Sequence, residues 1–155
     1  MQLARTPRIG PVTFSQLIAK FGSAKAALKE LPSFARRRRA MNVPSRSIIE
    51  RELADTERFG GRVLCAADPE YPPLLKQLAP PPPIISIKGC VDLLTKRAVA
   101  IVGARQASAA GRKMARDLSA DLSKAGFVTV SGLARGIDGE AHAASLEGGT
   151  IAILG

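Results

Sequence analysis

Residues 98–138 read AVAIVGARQASAAGRKMARDLSADLSKAGFVTVSGLARGID, and the succession of patterns inside this stretch decides the fold. Ala98, Val99, Ala100, Ile101 and Val102 form an uninterrupted run of small apolar side chains, as in a parallel strand covered on both faces. Gly103 ends the run. From Ser108 or Ala109 to Ala125 the period turns helical, with Met114, Leu118 and Leu122 spaced for one buried face and Arg112, Lys113, Arg116, Asp117 and Lys124 free to face water. Gly126 supplies a C-terminal stop. A second strand, Phe127 to Val130, leads into SGLARGID, a helical pattern from Gly139 to Leu146 and a third strand from Thr150 to Leu154. The fold class is therefore α/β, a Rossmann-like parallel sheet with flanking helices. Ligands of such sheets sit beyond the carboxyl ends of the strands, and both glycine-containing loops, Gly103 to Ser108 and Ser131 to Asp138, leave carboxyl ends.

Gly103 lets the chain turn and leaves amide groups near a helix start, where backbone N–H groups and the dipole favour an anion. Ser108 is the expected cap. Arg105 stands where a G-x-G-x-x-G fingerprint needs its second glycine, and the second strand ends in Ser131 and Gly132 rather than in an acid for a ribose hydroxyl. Both features argue against a buried dinucleotide. The second loop carries another arginine, Arg135, between Ala134 and Gly136. Two arginines on neighbouring loop tips make a basic rim suited to separate phosphates of a polymer. Spacing alone leaves open that both are simply solvated.

IVGAR with Gly111 shortly after, SGLARGID, the following AH and the strand TIAILG closely resemble the DNA-processing protein A family (DprA, also called Smf). The resemblance extends upstream over DPEYPPLL and PPPPIISIKG, and so over nearly all of residues 62–155. It implies a protein that binds and protects single-stranded DNA and loads the RecA recombinase onto it during natural transformation, with no cofactor and no catalytic activity in this loop. It implies that Arg105 and Arg135 contact DNA phosphates, in a pocket shared with Gly103, Ser108, Ser131, Gly132 and Gly136. It further implies a homodimer at full length, with more strands, the RecA-contacting surface and any winged-helix domain lying beyond Gly155. A sheet that ends at Thr150 to Leu154 is expected to expose an edge, lose stability and invite aggregation.

A chain of 155 residues suits one small domain plus part of a second, read here as a helical domain over 1–60 and a truncated sheet domain over 61–155. With 46% hydrophobic residues the composition is globular, no run approaches a membrane span, and residues 1–10 lack a signal-peptide core, so the expected compartment is the cytoplasm. The net charge of +10 is concentrated in the first 60 residues, most densely at Arg36 to Arg39, and favours polyanions without identifying one. Cys65 and Cys90 have neither CxxC spacing nor more than one histidine for company, which argues against a metal site and suits reduced, partly buried fillers.

In the first segment Thr13 is a possible cap, Phe14, Leu17, Ile18 and Phe21 make a buried face, Gly22 and Ser23 break and recap, and a second helix runs from Ala24 to Leu31 before Pro32. These helices are similar to a helix-hairpin-helix module or to a sterile-alpha-motif-like bundle. A third helix to Phe59 directs Ile48, Ile49, Leu53 and Ala54 inward, and Gly60 and Gly61 mark the boundary. Further on come a strand at Val63 to Cys65, an extended spacer at Pro80 to Pro83, a strand at Ile84 to Ile87, and Tyr71, which could stack on a base. Asp138 reads as a helix N-cap with His142 on the same face. The alternative to a DNA binder is a nucleotide-processing enzyme on the same sheet, using Asp138 or His142 for acid-base work, but no G-x-S-x-G elbow or P-loop lysine supports it.

Overall fold

The computed structural model describes residues 1–35 and 42–155, so the run Arg36 to Arg39 lies outside the described residues. The chain divides into two compact units, Met1–Gly89 and Cys90–Gly155.

In the first unit, helix α1 (Pro11–Phe21) starts at a proline in its first position and is capped by Gly10, with no side-chain bond at its N-terminus. Thr13 lies inside the helix and is not its cap. Proline at this position gives up no helical hydrogen bond and presets the backbone angle. Gly22, at φ 76°, ends α1 by donating to the Ile18 carbonyl, and the Ser23 hydroxyl accepts from Ala26 N–H to start α2 (Ala24–Ala35). Pro32 does not end α2; it removes one N–H from the ladder, and the helix runs on to Ala35. Leu17 and Ile9 are buried with Leu3, Ala27 and Leu31, and Phe14, Ile18 and Phe21 pack against them. Leu3 enters this core from the N-terminal turns.

Helix α3 (Arg46–Arg58) is capped by Ser45, whose hydroxyl accepts from Ile48 N–H. It buries Ile49 and half-buries Leu53, while Ile48 and Ala54 are exposed, so its apolar stripe is narrower than the pattern suggests. Strand β1 (Gly61–Cys65) follows directly and pairs antiparallel with β2 (Ile84–Lys88), in a register that sets Val63 opposite Ser86. The first unit runs on past Gly60–Gly61 to Gly89, because β1 packs on α3. Between the two strands lies a single turn of helix, α4 (Pro73–Lys76). Tyr71 is 1% exposed and donates its hydroxyl to the Pro82 carbonyl at 2.7 Å. It fastens the proline tract to the unit and cannot stack on a base. Burial pushes its hydroxyl pKa up.

The second unit opens with a 3₁₀ turn (Val91–Thr95) and is built on three short parallel strands, β3 (Ala98–Ala100), β4 (Val128–Ser131) and β5 (Thr150–Ala152), in that spatial order. This is the order of one half of a doubly wound sheet. Helix α5 (Ala109–Lys124) joins β3 to β4, and α6 (Ile137–Ala144) joins β4 to β5. Gly126, at φ 81°, closes α5 as a Schellman turn: its N–H donates to Ser123 and that of Phe127 to Leu122. The buried stripe of α5 is Ala115 and Ser119, and Met114 is 68% exposed with Leu118 also exposed. Small side chains let α5 lie close against α6 and β4, and that approach sends the larger residues outward. Cys65 is half-buried, whereas Cys90 is exposed rather than a buried filler, and both are free. No helix among the described residues is long and apolar enough to cross a membrane.

Tyr71→Phe is expected to lower the stability to urea unfolding by about 1 kcal/mol, because the Pro82 carbonyl loses its donor, and to leave nucleic-acid affinity unchanged in a titration of the same protein.

Candidate nucleic-acid interface

The two loops that leave β3 and β4 touch. A Cβ built on Gly136, which sits at φ 84°, would lie 2.7 Å from the Arg105 carbonyl oxygen and collide with that of Ala104. Only a glycine permits this approach, and it requires the left-handed backbone as well. Gly103 is confined in the same way, since a Cβ there would lie 2.6 Å from Ile137 Cγ1. Ile137 N–H donates to the Ala104 carbonyl across the same contact. The loop carrying Arg105 and the loop carrying Arg135 are thus one backbone surface.

Beneath that surface lies Asp138. Helix α6 begins at Ile137 with Gly136 as its cap, so Asp138 is the second helical residue and not the N-cap. Its carboxylate accepts from Gly103 N–H at 3.3 Å, from Gly132 N–H at 3.2 Å and from Ala134 N–H at 3.5 Å. Burial pushes its carboxyl pKa upward, but the three N–H groups and the neighbouring Ser131 hydroxyl outweigh burial and hold it below the usual carboxylate value. The concave set of amides that the sequence offers to an external anion is already filled by this internal one. Gly103 and Gly132, both expected at a phosphate, hold the loops to Asp138. Ser131 is buried at the end of β4, its hydroxyl beside Asp138 without a completed hydrogen bond. Ser108 caps α5 by accepting from Gly111 N–H.

His142 completes the fastening. Its Nε2 accepts the Leu133 N–H at 3.3 Å, which leaves Nδ1 to donate to Thr150 Oγ1 at 2.6 Å, and that hydroxyl donates to the Thr129 carbonyl. Asp138 and His142 do share one face of α6, but each bonds to the loop or to β5, and no hydrogen bond joins them. Three consecutive amides, Gly132 to Ala134, are thereby captured by two side chains one helical turn apart. Leu133 is held at φ 55°, a left-handed conformation that leucine rarely takes. Both acid-base candidates are buried and committed to backbone and threonine partners.

What faces outward is cationic. Arg105 and Arg135 are exposed, and among the described residues neither takes part in an ion pair. Three basic residues of this unit are paired, Arg116 with Glu140, Lys113 with Asp117 and Lys124 with Asp121, whereas Lys96, Arg97 and Arg112, like the two loop arginines, are in no ion pair among the described residues. Arg112, which the sequence reading leaves as a solvated helix residue, donates through Nε to the Ala107 carbonyl, bringing a third guanidinium to the first loop. Its spacing from Arg105 gives no hint of this; the loop path does. No cluster of possible metal ligands occurs among the described residues.

Asp138→Asn removes a charged acceptor from three donors and is expected to destabilise the chain by about 2 kcal/mol at neutral pH. The folded carboxyl titrates below its unfolded value of about 3.9, so its stabilisation is complete above that pH and is lost as the pH falls through the folded pKa. Urea midpoints measured from pH 7 to pH 3 should fall less steeply at the acid end for the variant than for the parent.

The family model described as DNA recombination-mediator protein A matches residues 62–155, and that of a DprA-like N-terminal HHH domain matches residues 1–54. The DNA processing protein DprA of Bacillus subtilis is 38% identical over 109 residues, covering 68% of this chain and 37% of that protein. Protein Smf of Synechocystis is 33% identical over 162 residues, covering 95% of this chain and 41% of that one. The X-ray structure of DNA processing protein A from Streptococcus pneumoniae superposes with a TM-score of 0.56 at 27% identity, over 94% of this chain and 58% of its own. The chain thus spans about two fifths of the length of these curated relatives. With both family models matching consecutive parts of it, the chain belongs to the DNA processing protein A (DprA/Smf) family.

Proposed function

We propose that this chain binds and protects single-stranded DNA through its phosphates, with Arg105 and Arg135 as the principal contacts and Arg112 beside them. The observation that carries the reading is the pair of exposed arginines, free of ion pairs among the described residues, on two loops whose backbones abut at Gly136. Such a pair presents guanidinium forks to successive phosphates without the chain having to bring its loops together first. Gly103, Gly132 and Gly136 shape this rim, Ser108 caps the helix that follows its first loop, Ser131 is buried at the end of β4, and the arginine side chains make the contact. Tyr71 is buried and the chain has no tryptophan, so affinity should rest on charge and depend weakly on sequence.

The relatives' names speak of DNA processing and of recombination mediation. With the family come the finer parts of the proposal: a non-enzymatic role in DNA uptake and natural transformation in the cytoplasm, transfer of the strand to RecA, and a homodimer in the full-length protein. Asp138 and His142 support the non-enzymatic reading, because both are occupied in holding the loops.

Fluorescent oligo-dT titrated at several salt concentrations tests the contact. Arg105→Ala and Arg135→Ala are each expected to weaken binding about tenfold and to reduce the salt slope by about 1, while equal-length duplex binds less well. Parent-like affinity in both variants would refute the rim as the contact.

A further inference from the structure

We propose that Leu133 is a base-contacting residue of the rim: its side chain packs against an unstacked base of the strand whose phosphates Arg105 and Arg135 hold. The inference rests on the single-strand reading above. Leu133 is a branched apolar residue in the left-handed region, where an unconstrained leucine does not settle, and the residue is 56% exposed. Its amide is drawn inward by His142, and the amides on either side by Asp138, so the backbone has no freedom to relax. Neither internal core packing nor loop closure requires leucine here: the side chain is largely in water, and glycine would take this backbone angle without strain. The conformation turns an apolar group outward two residues before Arg135. Where phosphates are fixed by cations, the neighbouring bases of a single strand are the apolar surface within reach, and aliphatic contact with a base face favours no particular base.

The test compares oligo-dT with an abasic phosphodiester strand of the same length and phosphate count, using the full chain and its Leu133→Gly and Leu133→Asn variants. Both replacements accept the left-handed angle, so folding is preserved or improved, which thermal unfolding checks. The parent is expected to bind oligo-dT about fivefold more tightly than the abasic strand, and both variants to lose that preference while keeping the parent's affinity for the abasic strand. Equal binding of the two strands by the parent, or an unchanged preference in the variants, would overturn the proposal, as would an equal loss on both strands. Arg105→Ala and Arg135→Ala report separately: they should weaken both strands alike. If they weaken neither while the Leu133 variants still abolish the preference, the phosphate rim falls and the base contact stands.

Discussion

The organisation of the second unit depends on one buried carboxylate. Asp138 gathers amides from two loops that are 29 residues apart at their nearest donors, Gly103 and Gly132, and so ties together the loops that leave the paired ends of β3 and β4. A carboxylate out of water is tolerated only with good donors on it, and here the donors are backbone groups that would themselves be unsatisfied at these strand ends. Each side of the interaction solves the other's problem. His142 extends the same device by one turn, bringing Thr150 and hence β5 into the network. Without these two residues the one tie of α6 to those loops named above would be the bond from Ile137 N–H to the Ala104 carbonyl.

Because the negative charge that satisfies the loop amides is internal, the basic rim outside is built from side chains alone. A helix start with free amides holds one phosphate group at a fixed point, as in mononucleotide sites. Flexible guanidinium groups on a fixed base suit a ligand whose phosphates repeat and whose position along the rim is not defined. The chemistry of the site thus turns on where the carboxylate sits, which supports the polymer surface proposed above over a nucleotide pocket.

Much of this was legible in the sequence. The change from a β to a helical period after Gly103, the stop at Gly126 and the cap at Ser108 gave the strand and helix order that the structure has, since these signals are local. The motifs carried the family. What was hidden is what depends on distant partners. Asp138 reads locally as a cap, and nothing near it in the chain announces Gly103 as its donor. Met114 and Leu118 have core spacing, yet the close approach of α5 to its neighbours runs along Ala115 and Ser119. Tyr71 looks like a stacking residue until the proline tract folds over it. The glycines after α3 fall between the stretches matched by the two family models, residues 1–54 and 62–155, but β1 also packs on α3, a contact that nothing near them in the chain announces.

The contact between Gly136 and the Arg105 backbone has a consequence for the protein without its ligand. Two like charges are anchored on loops held together by the Ile137–Ala104 bond and by Asp138, so their mutual repulsion is retained in the free state, with side-chain reorientation and counterions to lessen it. An incoming polyanion removes that repulsion as well as adding its own attraction. Dissolved salt therefore acts in opposite senses on the two states, easing the empty rim while weakening the filled one. On the reading proposed above, part of the affinity for a strand is in this sense stored in the fold before any strand arrives.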